Sequence, residues 1–311
     1  MGNIATREAY GAALAELGEK YKNVVVLDAD LSKSTKTHDF KKKYPDRFFN
    51  MGISEQDLIG TAAGFATCGK IPFASTFAMF ATGRAFEQIR NSIAYPRLNV
   101  KIAATHAGIT LGEDGASHQA IEDVAIMRAV PNMTIVNPAD ALSARKAIEA
   151  AIQYNGPMYI RLGRLGVPEV YKEDIDFTIG KGILVEEGKD VTIIAAGFMV
   201  HLAIEASAML KEEGISAEVI DMHTIKPIDK DLIIGSAKKT GAIVTAEEHN
   251  IIGGLGGAVA EVLCEEYPVP VVRVGIKDVF GQSGKPMELV ELYGISAKDI
   301  AAAARQAIAK K

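Results

Sequence analysis

Only two of the 311 residues are cysteine, Cys68 and Cys264, and they lie far apart in apolar contexts. There is no CxxC pair and no cysteine-histidine cluster at zinc spacing, which excludes a disulfide-stapled scaffold and a zinc ribbon and points to a reducing, cytoplasmic home. No apolar stretch approaches the ~20 residues needed to span a bilayer, and the start lacks a basic region followed by an apolar one, so neither a membrane protein nor an exported one is expected. Charge of one sign is missing as well. Lys and Arg number 34 against 39 Asp and Glu, the net charge of −5 is interspersed, and basic runs such as Lys41-Lys42-Lys43 are short. Solvated helix ends explain such runs, and a nucleic-acid surface is not expected. Repeats at solenoid spacing and low-complexity segments are absent. The glycine run Gly253-Gly254-Leu255-Gly256-Gly257 does not satisfy GxGxxG, so it reads as helix-start packing or a close turn. Residues 1–6 fit a loose myristoylation pattern, but Thr6 before Arg7-Glu8-Ala9 reads better as a helix N-cap.

What is present is 48% hydrophobic and 23% charged residues, enough for two α/β cores. Helical periodicity over residues 6–20 leads into Val24-Val25-Val26-Leu27-Asp28, a short apolar run ending in an acid, as a buried parallel strand would. A second helix is expected from Ser54, its N-cap, followed by a strand at 71–75 whose Pro72 suggests an edge. Strands at 100–105 and 158–162 and a helix at 139–154 complete the first unit. Patterning lapses from about residue 163 to 189. Beyond it, strands at 191–196, 217–221, 242–246 and 271–274 alternate with helices, and an alanine-rich helix ends the chain. The expected division is a first domain at 1–175, a linker at 176–190 and a smaller α/β domain at 191–311.

Residues 105–119 are the most informative stretch, with His106, Glu113, Asp114 and His118 among three glycines directly after a strand. That density suits a polar site at the carboxyl end of a parallel sheet, although a solvated loop with helix-capping acids reads equally well. Metal ligation by His106, Asp114 and His118 is disfavoured for want of compact spacing. Glu55 opens an apolar helix, either complementing its dipole or sitting buried where it could hold or share a proton. Phe77 and Phe80, three apart, would share one helix face, as core packing or as a wall for a flat ring.

Together, Gly52-Ile53-Ser54-Glu55-Gln56, Thr76-Phe77, Gly112-Glu113-Asp114-Gly115, Ser117-His118-Gln119 and Pro131-Asn132-Met133 resemble the pyrimidine-binding domain of the transketolase family. Asp278-Val279-Phe280-Gly281-Gln282-Ser283-Gly284 looks like that family's C-terminal domain, so the resemblance runs over essentially the whole chain. It implies two α/β domains with mostly parallel sheets, a pyrimidine-binding domain and a transketolase C-terminal domain. It makes Glu55 the acid that hydrogen-bonds the aminopyrimidine of thiamine diphosphate, with Phe77 and Phe80 as the aromatic wall. Gly83 departs from the pattern, standing where many relatives carry a third aromatic. Arg7, Ser34, His106 and Arg164 match positions that hold a sugar phosphate, Asp114 and His118 match groups contacting donor-sugar hydroxyls, and Asp30 falls in a signature beside the cofactor. The implied activity is transfer of a two-carbon ketol unit from a ketose phosphate to an aldose phosphate.

The family's Gly-Asp-Gly followed by an Asn pair, which holds magnesium and diphosphate, does not occur in the chain. The resemblance therefore implies an N-terminal partner subunit that binds most of the Mg2+ and diphosphate, in an α2β2 assembly. A 1-deoxyxylulose-5-phosphate synthase, a 2-oxo acid dehydrogenase β subunit and a non-catalytic paralogue are the competing readings. His106 argues against the synthase, and retention of Glu55, His106, Asp114 and His118 together argues against the inert paralogue.

Overall fold

The computed structural model describes residues 3–311; Met1 and Gly2, on which the acylation pattern rests, lie outside them. Among the described residues no helix is long and apolar enough to cross a membrane.

Two sheets organise the chain. From edge to edge the first contains Thr224–Lys226, Thr134–Val136, Met158–Arg161, Lys101–Thr105, Ile71–Phe77, Val24–Asp28 and Phe48–Asn50. Every pairing is parallel except that of the first edge strand. Its central strands are buried throughout, which is why Val24–Asp28 reads as a continuous apolar run rather than an alternating one. The second sheet runs Val271–Ile276, Ile243–Asn250, Val191–Ala195, Ala217–Asp221 and Ile183–Glu186, with only the last antiparallel.

Several expectations need correcting. Ile71–Phe77 is a central strand, not an edge. Its Pro72 is tolerated because pairing with Lys101–Thr105 begins only at Phe73, leaving the proline without a ladder partner on that side. Thr6 is the first residue of the helix Thr6–Lys20 rather than its cap, which is Ala5; the Thr6 hydroxyl instead accepts the Gly163 N–H at 2.8 Å. Ser54 does occupy the N-cap position of Glu55–Thr67 but makes no side-chain cap bond. Ile183–Glu186, inside the stretch read as linker, is a strand of the second sheet, and Thr224–Lys226 crosses from the second half of the chain to extend the first sheet.

A buried ion pair of the first half reaches across to the second through one hydrogen bond. Arg161 Nε donates to Asp123 Oδ2 at 2.7 Å, and its NH2 group reaches Asp123 Oδ1, the Ala120 carbonyl and the Glu248 carbonyl at 3.0 to 3.2 Å. Tyr159 also donates to Asp123 Oδ2, at 2.7 Å. Burial alone would push the Asp123 carboxyl up, but Arg161 and His249 outweigh it and hold it below the usual range. Removing one member of such a pair strands the other charge at a cost of about 3 to 5 kcal/mol.

Candidate active site

Adjacent parallel strands of the first sheet end at Thr105, Phe77, Asp28 and Asn50, so the segments following them meet along one edge, where open parallel sheets place ligands. Asp28 is fully buried and fixes the segment after its strand. Its Oδ1 accepts the Leu31 N–H at 2.6 Å, and its Oδ2 accepts the Thr35 and Thr37 hydroxyls at 2.7 and 2.9 Å. Burial raises its pKa, and those hydrogen bonds offset only part of the rise. Asp30 follows with φ of 62°, a left-handed conformation that aspartate adopts more readily than most residues. It exchanges two hydrogen bonds with Asn50, whose Oδ1 also accepts the Gly52 N–H at 3.1 Å. Asp30 thus steadies the turn leading to Glu55 and is itself exposed.

Glu55 is the first residue of its helix and only 6% exposed. Among the described residues its one side-chain partner is Arg84, whose NH1 lies 3.2 Å from Oε1. Phe77 and Phe80 do not share a helix: the first ends a strand and the second begins a π-helical turn, Phe80–Arg84. Their rings nevertheless stack, with centroids 5.7 Å apart. His106 stacks on Phe77 at 3.9 Å, and His118 meets the edge of Phe80 at 5.1 Å.

His106 is buried at φ of 62°, with Nδ1 engaged by the Thr105 hydroxyl at 2.8 Å, so Nε2 is the nitrogen left for a ligand. Burial, reinforced by the charges of Arg7 and Arg164 and by His118, pushes its pKa down to about 3. His118 Nδ1 is likewise held, by the Ser117 hydroxyl at 2.9 Å. Arg7 and Arg164 line a crevice of about 250 Å³ with Thr110, Glu113 and Pro286. Arg7 donates to the Ser34 carbonyl at 2.7 Å while its Nε stays buried without a partner. Arg164 donates to the Leu111 carbonyl and pairs with Glu113 at 3.3 Å. The larger hollow beside Lys211 and Ser216, about 480 Å³, contains none of these groups.

The structure therefore brings Glu55, Phe77, Phe80, His106 and His118 into one cluster. Arg7, Ser34 and Arg164 gather near it, as the charges acting on His106 show. Asp114 is exposed in the same loop, and Ser34 contributes a backbone carbonyl. Sequence reasoning missed Arg84, which no spacing flags, and the Asp28 knot, whose threonines sit seven and nine residues downstream. Gln119, named only within a family motif, has a packing role that sequence reasoning missed. Its amide donates to the Gln282 carbonyl at 3.0 Å, and a side chain at Gly281 would fall 1.8 Å from its Oε1, so the 278–284 segment presses on the histidine loop.

Comparison with known proteins gives this arrangement its family. Residues 2–169 match the transketolase pyrimidine-binding domain and residues 180–300 the transketolase C-terminal domain. The proposed transketolase C-terminal section of Methanocaldococcus jannaschii is 55% identical, over 95% of this chain and 93% of that one. The 6-deoxy-6-sulfo-D-fructose transketolase subunit SqwH of Clostridium sp. (strain MSTE9) is 43% identical, over 98% and 95%. Among solved structures, an inactive β4 tetramer of a split-gene transketolase superposes with a TM-score of 0.94 at 63% identity, over 99% of both chains. The chain belongs to the transketolase family, of which it carries the pyrimidine-binding and C-terminal domains.

Proposed function

We propose that this chain is the pyrimidine-binding subunit of a split, thiamine-diphosphate-dependent transketolase of the cytoplasm. With an N-terminal partner subunit, in an α2β2 assembly, it moves a two-carbon ketol unit from a ketose phosphate to an aldose phosphate. The observation that carries this reading is a buried carboxylate, Glu55, beside a stacked Phe77–Phe80 pair against which two histidines pack.

The residues fit the pyrimidine half of the cofactor. Arg84 already lays a flat, hydrogen-bond-donating group against both Phe80 and Glu55, so the seat suits a planar ring that donates to a carboxylate. By the family resemblance, the divalent ion and the diphosphate are assigned mainly to the partner subunit. When bound, thiamine diphosphate supplies the carbanion chemistry.

This chain's residues bind, orient and move protons. Glu55 holds a proton at the pyrimidine ring nitrogen, while Phe77 and Phe80 fix the ring plane and exclude water. His106, neutral through the physiological range, offers Nε2 to the substrate beside the phosphate site. Arg7 and Arg164 take the terminal phosphate, for which the unpaired Arg7 Nε is a ready donor, and Ser34 closes that end. Asp114 and His118 contact donor-sugar hydroxyls.

The test is ketol transfer from xylulose 5-phosphate to ribose 5-phosphate, with thiamine diphosphate and Mg2+, using the chain alone and mixed with its N-terminal partner. Activity in the mixture alone is the expected result. Activity of the chain alone would remove the partner from the proposal, and silence in both would overturn the phosphorylated-sugar assignment. A donor ending in a sulfonate is then the next substrate, as the name of the Clostridium relative suggests.

A further inference from the structure

Arg84 does something the two-carbon transfer does not require. Its guanidinium carbon lies 4.0 Å from the centroid of the Phe80 ring, and its NH1 lies 3.2 Å from Glu55 Oε1. A flat group on an aromatic face with an N–H aimed at Glu55 reproduces both contacts that the aminopyrimidine would make under the function proposed above, and the inference rests on that reading.

Among the described residues nothing else holds the arginine's side chain. More than half of it is exposed, 54%, and only its backbone carbonyl is tied down, by the Gln56 side chain at 3.1 Å. It can therefore leave for solvent without opening a core. Its neighbour Gly83 puts no ring at the next position, and a side chain there would bring a Cβ within 2.7 Å of the Met79 methyl. The planar group beside Phe80 is thus supplied by arginine, which can swing, where a third aromatic would be a fixed wall.

We propose that Arg84 is a built-in placeholder. It occupies the aminopyrimidine seat, satisfies the buried Glu55, and must swing out before the pyrimidine can stack on Phe80 and reach Glu55. One carboxylate edge and one ring face cannot serve both groups, so the arginine competes with the cofactor and sets a threshold for its binding. The opposite arrangement, in which Arg84 stays and stacks with the cofactor as a third wall, predicts the opposite sign in a binding experiment.

The experiment is calorimetric titration of thiamine diphosphate, at saturating Mg2+, into the complex of this chain with its N-terminal partner, for wild type, R84A, R84K and R84Q. A partly exposed ion pair and one cation–π contact together suggest that R84A binds the cofactor roughly threefold to tenfold more tightly. R84K keeps the charge without the planar fork and should fall between R84A and wild type. R84Q keeps a donor to Glu55 without the charge; it carries the test if R84A fails to assemble, and tighter binding is again expected. Unchanged or weaker binding in these variants, with wild type binding normally, would overturn the placeholder alone. No binding by the wild-type complex would overturn both the placeholder and the functional reading beneath it.

Discussion

Two buried glutamates, one in each half of the chain, meet opposite surroundings. Glu247 lies in the strand Ile243–Asn250, and its two carboxylate oxygens accept the Leu255 and Gly256 N–H groups at 2.6 and 2.9 Å, capping the helix Leu255–Glu266. There is no spare room: a side chain at Gly254 would place a Cβ 1.9 Å from Glu247 Oε2. Among the described residues, Glu55 receives no backbone N–H and has a half-exposed arginine as its only side-chain partner. A carboxylate saturated by backbone donors holds structure together, whereas a buried carboxylate left to a movable partner is free to receive a ligand. The glycine run fits its reading as helix-start packing, because Gly254 makes room for the Glu247 cap and Gly256 packs closely on Thr245 and Arg273.

The largest stability effect should fall on the structural side of this divide. Arg161→Ala strands the buried Asp123 and should cost about 3 to 5 kcal/mol in urea unfolding, with loss of the hydrogen bond to the Glu248 carbonyl. A mild effect would mean that Tyr159 and other neighbours suffice to satisfy Asp123.

Asp221 sharpens the comparison, because it is buried in the second half with Oδ2 accepting from Tyr171 at 2.7 Å and Oδ1 unpaired. Burial pushes its pKa up to about 7. A raised carboxyl favours the folded state fully below its unfolded value, and that contribution is lost as pH rises through about 7. Asp221→Asn should therefore flatten the fall in stability between about pH 5 and 8 by about 2 to 3 kcal/mol, measured as unfolding midpoints across that range. His106 acts in the other direction. Its pKa is depressed, so its contribution fades as pH falls from the unfolded value near 6.5 toward about 3.

A smaller effect is expected on the ligand side. Phe80→Ala should weaken thiamine diphosphate binding by the assembled complex about fivefold to tenfold, roughly 1 kcal/mol, while the melting temperature scarcely moves because the ring is only partly buried. Equal losses of affinity and stability would make Phe80 an ordinary core residue.

Much of the first domain was legible because its central strands are apolar runs bounded by polar turns, and the helix Thr6–Lys20 followed its periodicity to the residue. Short edge strands such as Phe48–Asn50 and Thr224–Lys226 escaped, since three residues carry too little pattern and their pairing is fixed by tertiary contacts. Ile243–Asn250 was read four residues short because Glu247-Glu248-His249-Asn250 looks like a loop. Those charges are tolerated in a strand because Glu247 caps the helix Leu255–Glu266 and Glu248 accepts the Thr110 N–H. The histidine loop and Glu55 were visible as a density of chemistry, and the family resemblance is what favours their functional reading over a structural one. Arg84 could not be read from sequence at all, because its significance lies in where the π-helical turn aims it.

The most direct test of the divide is the rate of ketol transfer by the mixed subunits when Glu55 is replaced by Gln, read beside the melting temperature of the variant. The account predicts a fall of about a hundredfold or more in the chemical step, with folding and assembly retained, as expected for loss of a residue that handles a proton. Turnover at the wild-type rate would contradict it and return Glu55 to the structural carboxylates.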